Sequence, residues 1–215
     1  MKIKIALFVF LLCLSQNNVF STIQITSETD LLKLMNQVSP FDDWSADYEL
    51  TTDLDLAGYT ISSAPYPTNS IGNSTTKYTG SFDGRGFKIS NLDIQRVIAN
   101  DISYAYSGLF GIIGGDGDVK NLGVENSTIT GSLYVGILCG MNEGTISNCY
   151  SSGSVSAMEF IGGICAHNYY GLITNSYSTA SITSLGNYNG GFCGHNEGGT
   201  ISHCYSTGDV TCNAQ

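Results

Sequence analysis

An internal repeat of roughly 27 to 30 residues constrains this chain more than any other feature of its sequence. Five short segments align: Ile89-Ser-Asn-Leu-Asp-Ile94, Val119-Lys-Asn-Leu-Gly-Val124, Ile146-Ser-Asn-Cys-Tyr-Ser151, Ile173-Thr-Asn-Ser-Tyr-Ser178 and Ile201-Ser-His-Cys-Tyr-Ser206. A Gly-rich segment precedes each of the last four: Gly108-Leu-Phe-Gly111, Gly136-Ile-Leu-Cys139, Gly162-Gly-Ile-Cys165 and Gly190-Gly-Phe-Cys193. A third, β-branched stretch follows, as in Ser154-Val-Ser156 and Ser181-Ile-Thr183. Each unit thus holds three short strands parted by Gly, Asn and Ser turns, with no helical period after Pro40. Three such strands cannot close a core alone, but stacked copies can. Each strand then pairs with its equivalent one coil on, about 4.8 Å away. Propeller blades need nearer 40 residues, and sandwiches do not repeat columns this strictly. The expected fold is therefore all-β, a parallel β-helix of about five coils.

Comparing copies assigns the columns an inside and an outside. Leu92, Leu122, Cys149, Ser176 and Cys204 form an apolar or small column, which predicts an inward position. The next column, Asp93, Gly123, Tyr150, Tyr177 and Tyr205, accepts Asp and Gly, so its tyrosines are expected to point outward. Asn91, Asn121, Asn148, Asn175 and His203 suit a bend with left-handed backbone.

The two ends differ from the middle. Lys2 and Lys4 precede an unbroken apolar run from Ile5 to Leu14, which reads as a secretory signal peptide over 1–21 and is too short to span a bilayer. Ser27-Glu-Thr-Asp30 followed by Leu31, Leu32, Leu34 and Met35 predicts a short amphipathic capping helix from Glu28 to Asn36, ended by Pro40. Residues 22–58 then form an N-terminal cap with lead-in strands, and 59–215 the repeats, whose C-terminal edge at Gln215 is expected to be uncapped and open to end-to-end or partner contact. A net charge of −10, with no Lys or Arg after Lys120, excludes nucleic acid as a partner.

Tyr48-Glu-Leu-Thr-Thr-Asp-Leu-Asp-Leu56, Phe82-Asp-Gly-Arg-Gly-Phe-Lys-Ile-Ser-Asn-Leu92 and Gly108-Leu-Phe-Gly111 resemble the lead-in to repeats of the GLUG family. Gly190-Gly-Phe-Cys-Gly-His-Asn196 with Gly199-Thr-Ile-Ser-His-Cys-Tyr-Ser-Thr-Gly208 resembles the repeat itself. The family is similar to right-handed β-helices of exported surface proteins, including bacterial adhesins and regions beside the catalytic domain of IgA-cleaving metallopeptidases. The resemblance implies a right-handed parallel β-helix, secreted or displayed at the cell surface.

Candidate chemistry is sparse. His167, His195 and His203 fit no His-Glu-x-x-His pattern. A lyase needs a base beside an acidic cation site, but Arg85, Lys88, Arg96 and Lys120 cluster toward one end. Cys165-Ala-His167 and Cys193-Gly-His195 could bring two thiolates and two imidazoles together on adjacent coils. Cys139 shares the column with Met141 in place of a His, so the cysteines read as core filler and the histidines as a turn position. No catalytic residue, metal ligand or cofactor is therefore assigned. Six cysteines follow the signal segment; free buried thiols are expected, with one bridge feasible among Cys139, Cys165 and Cys193. The surface feature suited to recognition is the ladder of Tyr150, Tyr177 and Tyr205, whose ring faces could stack on sugars or pack on a protein. The expectation is an exported, non-catalytic scaffold or adhesion module whose partners are surface glycans or extracellular proteins. The alternative is a carbohydrate-binding or carbohydrate-acting β-helix using the tyrosine face.

Overall fold

A left-handed residue turns the chain at a recurring corner of the coil. Asn121, Asn148, Asn175 and His203 have φ of 53°, 52°, 49° and 55°. Asn accepts this conformation because its short amide bonds locally. The Asn148 Nδ2 donates to Asn121 Oδ1 at 3.3 Å and the Asn121 Nδ2 to Asp83 Oδ1 at 3.0 Å, so these two corners are tied to the coil before them. These features come from a computed structural model that describes residues 21–62, 70–96 and 105–213. Residues 1–20 of the signal-segment reading, and Ala214 and Gln215, lie outside the described residues.

Between corners the chain runs in short strands that pair in parallel with the next coil. Among the described residues one sheet stacks seven of them, Ile23–Ile25, Tyr48–Leu50, Ser81–Asp83, Asp118–Lys120, Thr145–Ser147, Leu172–Thr174 and Thr200–Ser202. A second wall holds ten strands, including Lys88–Ser90, Gly123–Thr130, Tyr150–Ala157, Tyr177–Ser178 and Tyr205–Ser206. A third stacks Phe110–Ile113, Cys139–Asn142, Cys165–Tyr169 and Cys193–Glu197, and a small fourth stacks Val135–Gly136, Ile161–Gly162 and Asn189–Gly190. The result is a parallel β-solenoid of about six turns. The extra turn relative to the sequence estimate comes from Ile23–Ile25 and Tyr48–Leu50, which pair as coil strands inside the segment expected to be a cap.

The register also corrects the first aligned copy. Val119 pairs with Phe82, whereas Ile89 pairs with Val124 and Ile94 with Ile129. Asn91 therefore belongs with Asn126, both left-handed at 59° and 50°, and Lys88 rather than Asp93 pairs with Gly123 ahead of Tyr150. One coil contains two phrases of the same type, Val119-Lys-Asn-Leu and Val124-Glu-Asn-Ser, so sequence similarity alone could not choose between them.

The buried side chains become smaller along the solenoid. Trp44, Tyr48, Tyr78, Phe82 and Phe110 are fully buried near the N-terminal end, and Ile146, Cys149, Cys165, Ile173 and Ile182 fill the later coils. Leu92, Leu122, Cys149 and Ser176 point inward as expected, and Cys204 is partly buried. The helix Glu28–Met35 starts at Ser27, whose hydroxyl accepts from the Asp30 amide, and adds Leu31, Leu34 and Met35 to this core. It stops at Asn36, whose Nδ2 returns to the Leu32 carbonyl, with Gln37 left-handed at 50°, before Pro40 is reached. Trp44 Nε1 donates to the Leu34 carbonyl at 3.0 Å, satisfying one of the acceptors that a helix end leaves open. No helix among the described residues is long and apolar enough to cross a membrane.

Candidate functional site

Parallel in-register stacking turns each repeated residue into a ladder, and four ladders stand out, two of aromatic residues and two of largely buried Ser and Asn. On the ten-strand wall Tyr150 pairs with Tyr177, and Tyr177 with Tyr205. Their ring centroids lie 5.2 Å and 5.1 Å apart with interplanar angles of 6° and 4°. The three tyrosines proposed from the sequence are thus brought together. Their faces, however, cover one another, so ring edges and hydroxyls form the wall and the open platform is the outer face of Tyr205, which is 57% exposed. At the other end the Tyr150 ring lies where a Cβ on Gly123 would stand. The Tyr150 hydroxyl donates to Glu125 Oε1 at 2.8 Å, and Lys88 Nζ meets Glu125 Oε2 at 2.9 Å. Lys88 and then Tyr150 hold the Glu125 carboxyl below its usual range, while burial and that carboxylate raise the Tyr150 phenol.

Behind the tyrosines the alternate residue is Ser. Ser151 Oγ donates to the Gly163 carbonyl at 2.8 Å and meets Ser178 Oγ at 3.0 Å. A Cβ on Gly163 would collide with Ser178 Oγ, and one on Gly191 would press on Ser206. Gly163 and Gly191 are therefore required by the serine ladder, a close backbone approach that an added methyl would block.

Two ladders escaped the sequence reading. Asn142 Nδ2 donates to Asn168 Oδ1, and Asn168 Nδ2 to Asn196 Oδ1, both at 2.8 Å. Each Nδ2 also reaches a glycine carbonyl, of Gly144, Gly171 and Gly199 respectively. The signal was an Asn two or three residues before a Gly in each copy. Beside it runs a second aromatic ladder, Tyr106, Tyr134, Phe160 and Tyr188, with centroids 4.8, 4.5 and 4.5 Å apart. Its signal was an aromatic residue two positions before Gly108, Gly136, Gly162 and Gly190.

This second ladder borders the two histidines. His167 and His195 lie within strands, in register one coil apart, rather than in the turn that the sequence suggested. Their rings stack at 4.9 Å and 27°, and His167 also packs on Tyr134 and Phe160. Burial and then His195 lower the His167 pKa, opposed by Glu197, whose Oε2 lies 3.2 Å from His167 Nε2. The cysteine pairs do not join them. Cys139, Cys165 and Cys193 stack behind Phe110, all as free thiols, and Cys139 and Cys165 are fully buried in the core. Burial pushes the Cys165 thiol well above its usual range and the Cys149 thiol up to about 12. His203 sits apart at a coil corner.

A parallel β-solenoid with in-register polar and aromatic ladders defines the class. Within that class the chain carries the GLUG motif, matched at residues 161–183 and 186–211. It is 42% identical over 100 residues to halomucin of Haloquadratum walsbyi and 35% identical over 104 residues to the proposed Gly-rich membrane protein of Evansella cellulosilytica. Those matches cover 46% and 47% of this chain but only 1% and 11% of the relatives. In fold it is similar to the crystal structure of a proposed immunoglobulin A1 protease from Bacteroides ovatus, with a TM-score of 0.58 and 18% identity over 90% of this chain and 78% of that one.

Proposed function

We propose that the protein is an exported, non-catalytic surface scaffold or adhesion module that presents the Tyr150, Tyr177 and Tyr205 wall to surface glycans or extracellular proteins. The observation that carries this reading is the wall itself: three parallel rings on a rigid sheet, held at one end by Glu125 and Lys88 and ending at an exposed Tyr205. Tyrosine suits such a face because it offers large amphipathic area with few rotatable bonds. The likeness of part of this chain to halomucin and to a proposed Gly-rich membrane protein supports an extracellular or surface setting. The basic residues Arg85, Lys88 and Lys120 are each engaged in ion pairs, with Glu49, Glu125 and Asp118, which supports a structural rather than a catalytic use of them.

A glycan and extracellular-matrix array with the purified protein tests the proposal. An adhesion wall loses binding when Tyr150, Tyr177 and Tyr205 are all changed to Ala with circular dichroism unchanged, and keeps most of it in Tyr205→Ala. A site that stacks one sugar ring loses binding in Tyr205→Ala alone, which would favour the carbohydrate-binding alternative. Absence of binding by the unaltered protein would remove the wall as a recognition face.

A further inference from the structure

Independently of the tyrosine wall, we propose that His167, His195 and Glu197 form a binding site for a divalent transition-metal ion of the zinc class. The parallel strands Cys165–Tyr169 and Cys193–Glu197 place His167 beside His195 and Tyr169 beside Glu197. Residues i and i+2 share a strand face, so Glu197 stands on the same side as His195 and reaches back to His167. One donor atom from each of the three side chains lies within 4.8 Å of the others. Ligands at 2.0–2.2 Å from a tetrahedral ion stand roughly 3.4 Å apart, so side-chain rotations that shorten the longest separation by up to about 1.4 Å close the set.

Two of the imidazole nitrogens at this site lack other partners. His167 is only 8% exposed, and its Nε2 is buried with no aligned hydrogen bond, the Glu197 carboxylate lying 3.2 Å away outside hydrogen-bond geometry. Nδ1 of His195 is likewise buried and unpaired. Buried polar atoms left in this way are costly, and a cation held by imidazole nitrogen and carboxylate oxygen removes the cost at the pair.

The surroundings hold the ligands in place. The His167 ring lies near-parallel to Tyr134, at 5.8 Å and 18°, and the His195 ring packs on Tyr188 at 4.9 Å and on Phe160 at 5.9 Å. Packing of this kind limits ring rotation and so pre-orients the donors. In the two preceding coils the same column holds Met141 and then Ile112, so among these four coils the imidazoles occur only on the adjacent pair where they can meet. The half-exposed Glu197 side chain leaves one side of the ion facing solvent. Two nitrogens and one carboxylate oxygen with a solvent-facing position suit zinc and its borderline neighbours better than calcium, which takes oxygen ligands.

The test is a Zn²⁺ competition titration of the chelator-treated protein, with the visible spectrum of the Co²⁺-loaded form. The expected result is one saturable equivalent, weakened roughly tenfold or more by His195→Gln and by Glu197→Gln and unchanged by His203→Gln. Cobalt d–d bands should appear without a thiolate-to-cobalt charge-transfer band. Absence of saturable binding, equal affinity in all variants, or a charge-transfer band assigning the ion to the cysteines would each overturn the proposal. Should His195→Gln misfold, Glu197→Gln decides alone, because its side chain is half exposed and circular dichroism should remain that of the unaltered protein.

Discussion

At the scale of the residue, single positions matter because of their backbone conformation or their burial. Asn148 turns its corner at φ 52°, where a β-branched side chain pays the steric cost of left-handed backbone. Asn148→Val should lower stability by about 1–2 kcal/mol and Asn148→Gly by much less, a difference readable as a shift in the urea midpoint. The thiols divide by burial in the same way. Cys212 is exposed, whereas Cys139, Cys149 and Cys165 are buried and free. An alkylating reagent should modify Cys212 in the native protein and reach those three only after denaturation. Mass mapping of the modified peptides checks this, and native labelling of Cys149 would contradict its inward placement. The column containing Cys149 was readable from Leu92 and Leu122, because burial selects residue size and polarity directly. The location of His167 was not readable, since nothing in Cys-x-His separates a strand from a turn.

At the scale of the element, each ladder is a chain of mutually dependent groups. Asn168 stands in the middle of its ladder, donating to Asn196 and accepting from Asn142, whereas Asn142 Oδ1 is buried with no partner. Asn168→Ala strips partners from both neighbours and should cost about 2–4 kcal/mol, and Asn142→Ala should cost less, since it removes only one link. Urea unfolding of the two variants measures the order, and equal losses would show that the amides do not act as a linked series. Ladders of this kind were only half legible in the sequence. Repetition marked the columns, but the phase between the first two copies was hidden because Val119-Lys-Asn and Val124-Glu-Asn present the same apolar-x-Asn pattern.

At the scale of the whole molecule, neighbouring coils exchange their stabilising contacts only with one another. The early coils carry Trp44, Tyr48, Phe82 and Phe110 fully buried, while at the other end Tyr205, Val210, Thr211 and Cys212 are exposed. Amide exchange should therefore be slowest around Phe82, Val119 and Ile146 and fastest in residues 200–213. Hydrogen-exchange mass spectrometry resolves this gradient, and uniform protection would mean that the coils open as one unit. Stability should also fall with alkaline pH. Burial raises the Cys149 thiol to about 12 and, with Asp43, the Tyr48 phenol to about 12, so the folded chain keeps protons that the unfolded chain releases. Their contribution is whole below the unfolded thiol value near 9 and disappears as pH climbs from there through the folded values. The urea midpoint should drop between pH 8 and pH 11, and by less in Cys149→Ser.

Sequence alone determined that the chain stacks repeats in parallel, that Asn121, Asn148, Asn175 and His203 bend it, and that Tyr150, Tyr177 and Tyr205 share one outward column. Those outcomes depend on residue type recurring at a fixed period, and a period survives in one dimension. Tertiary structure alone decided that the tyrosine faces cover each other, that Gly163 makes room for Ser178, and that His167, His195 and Glu197 converge. These depend on the small offset and turn between successive coils, and on which side chain fills a given space first. Such distances of a few ångströms between coils have no counterpart in the spacing of letters along the chain.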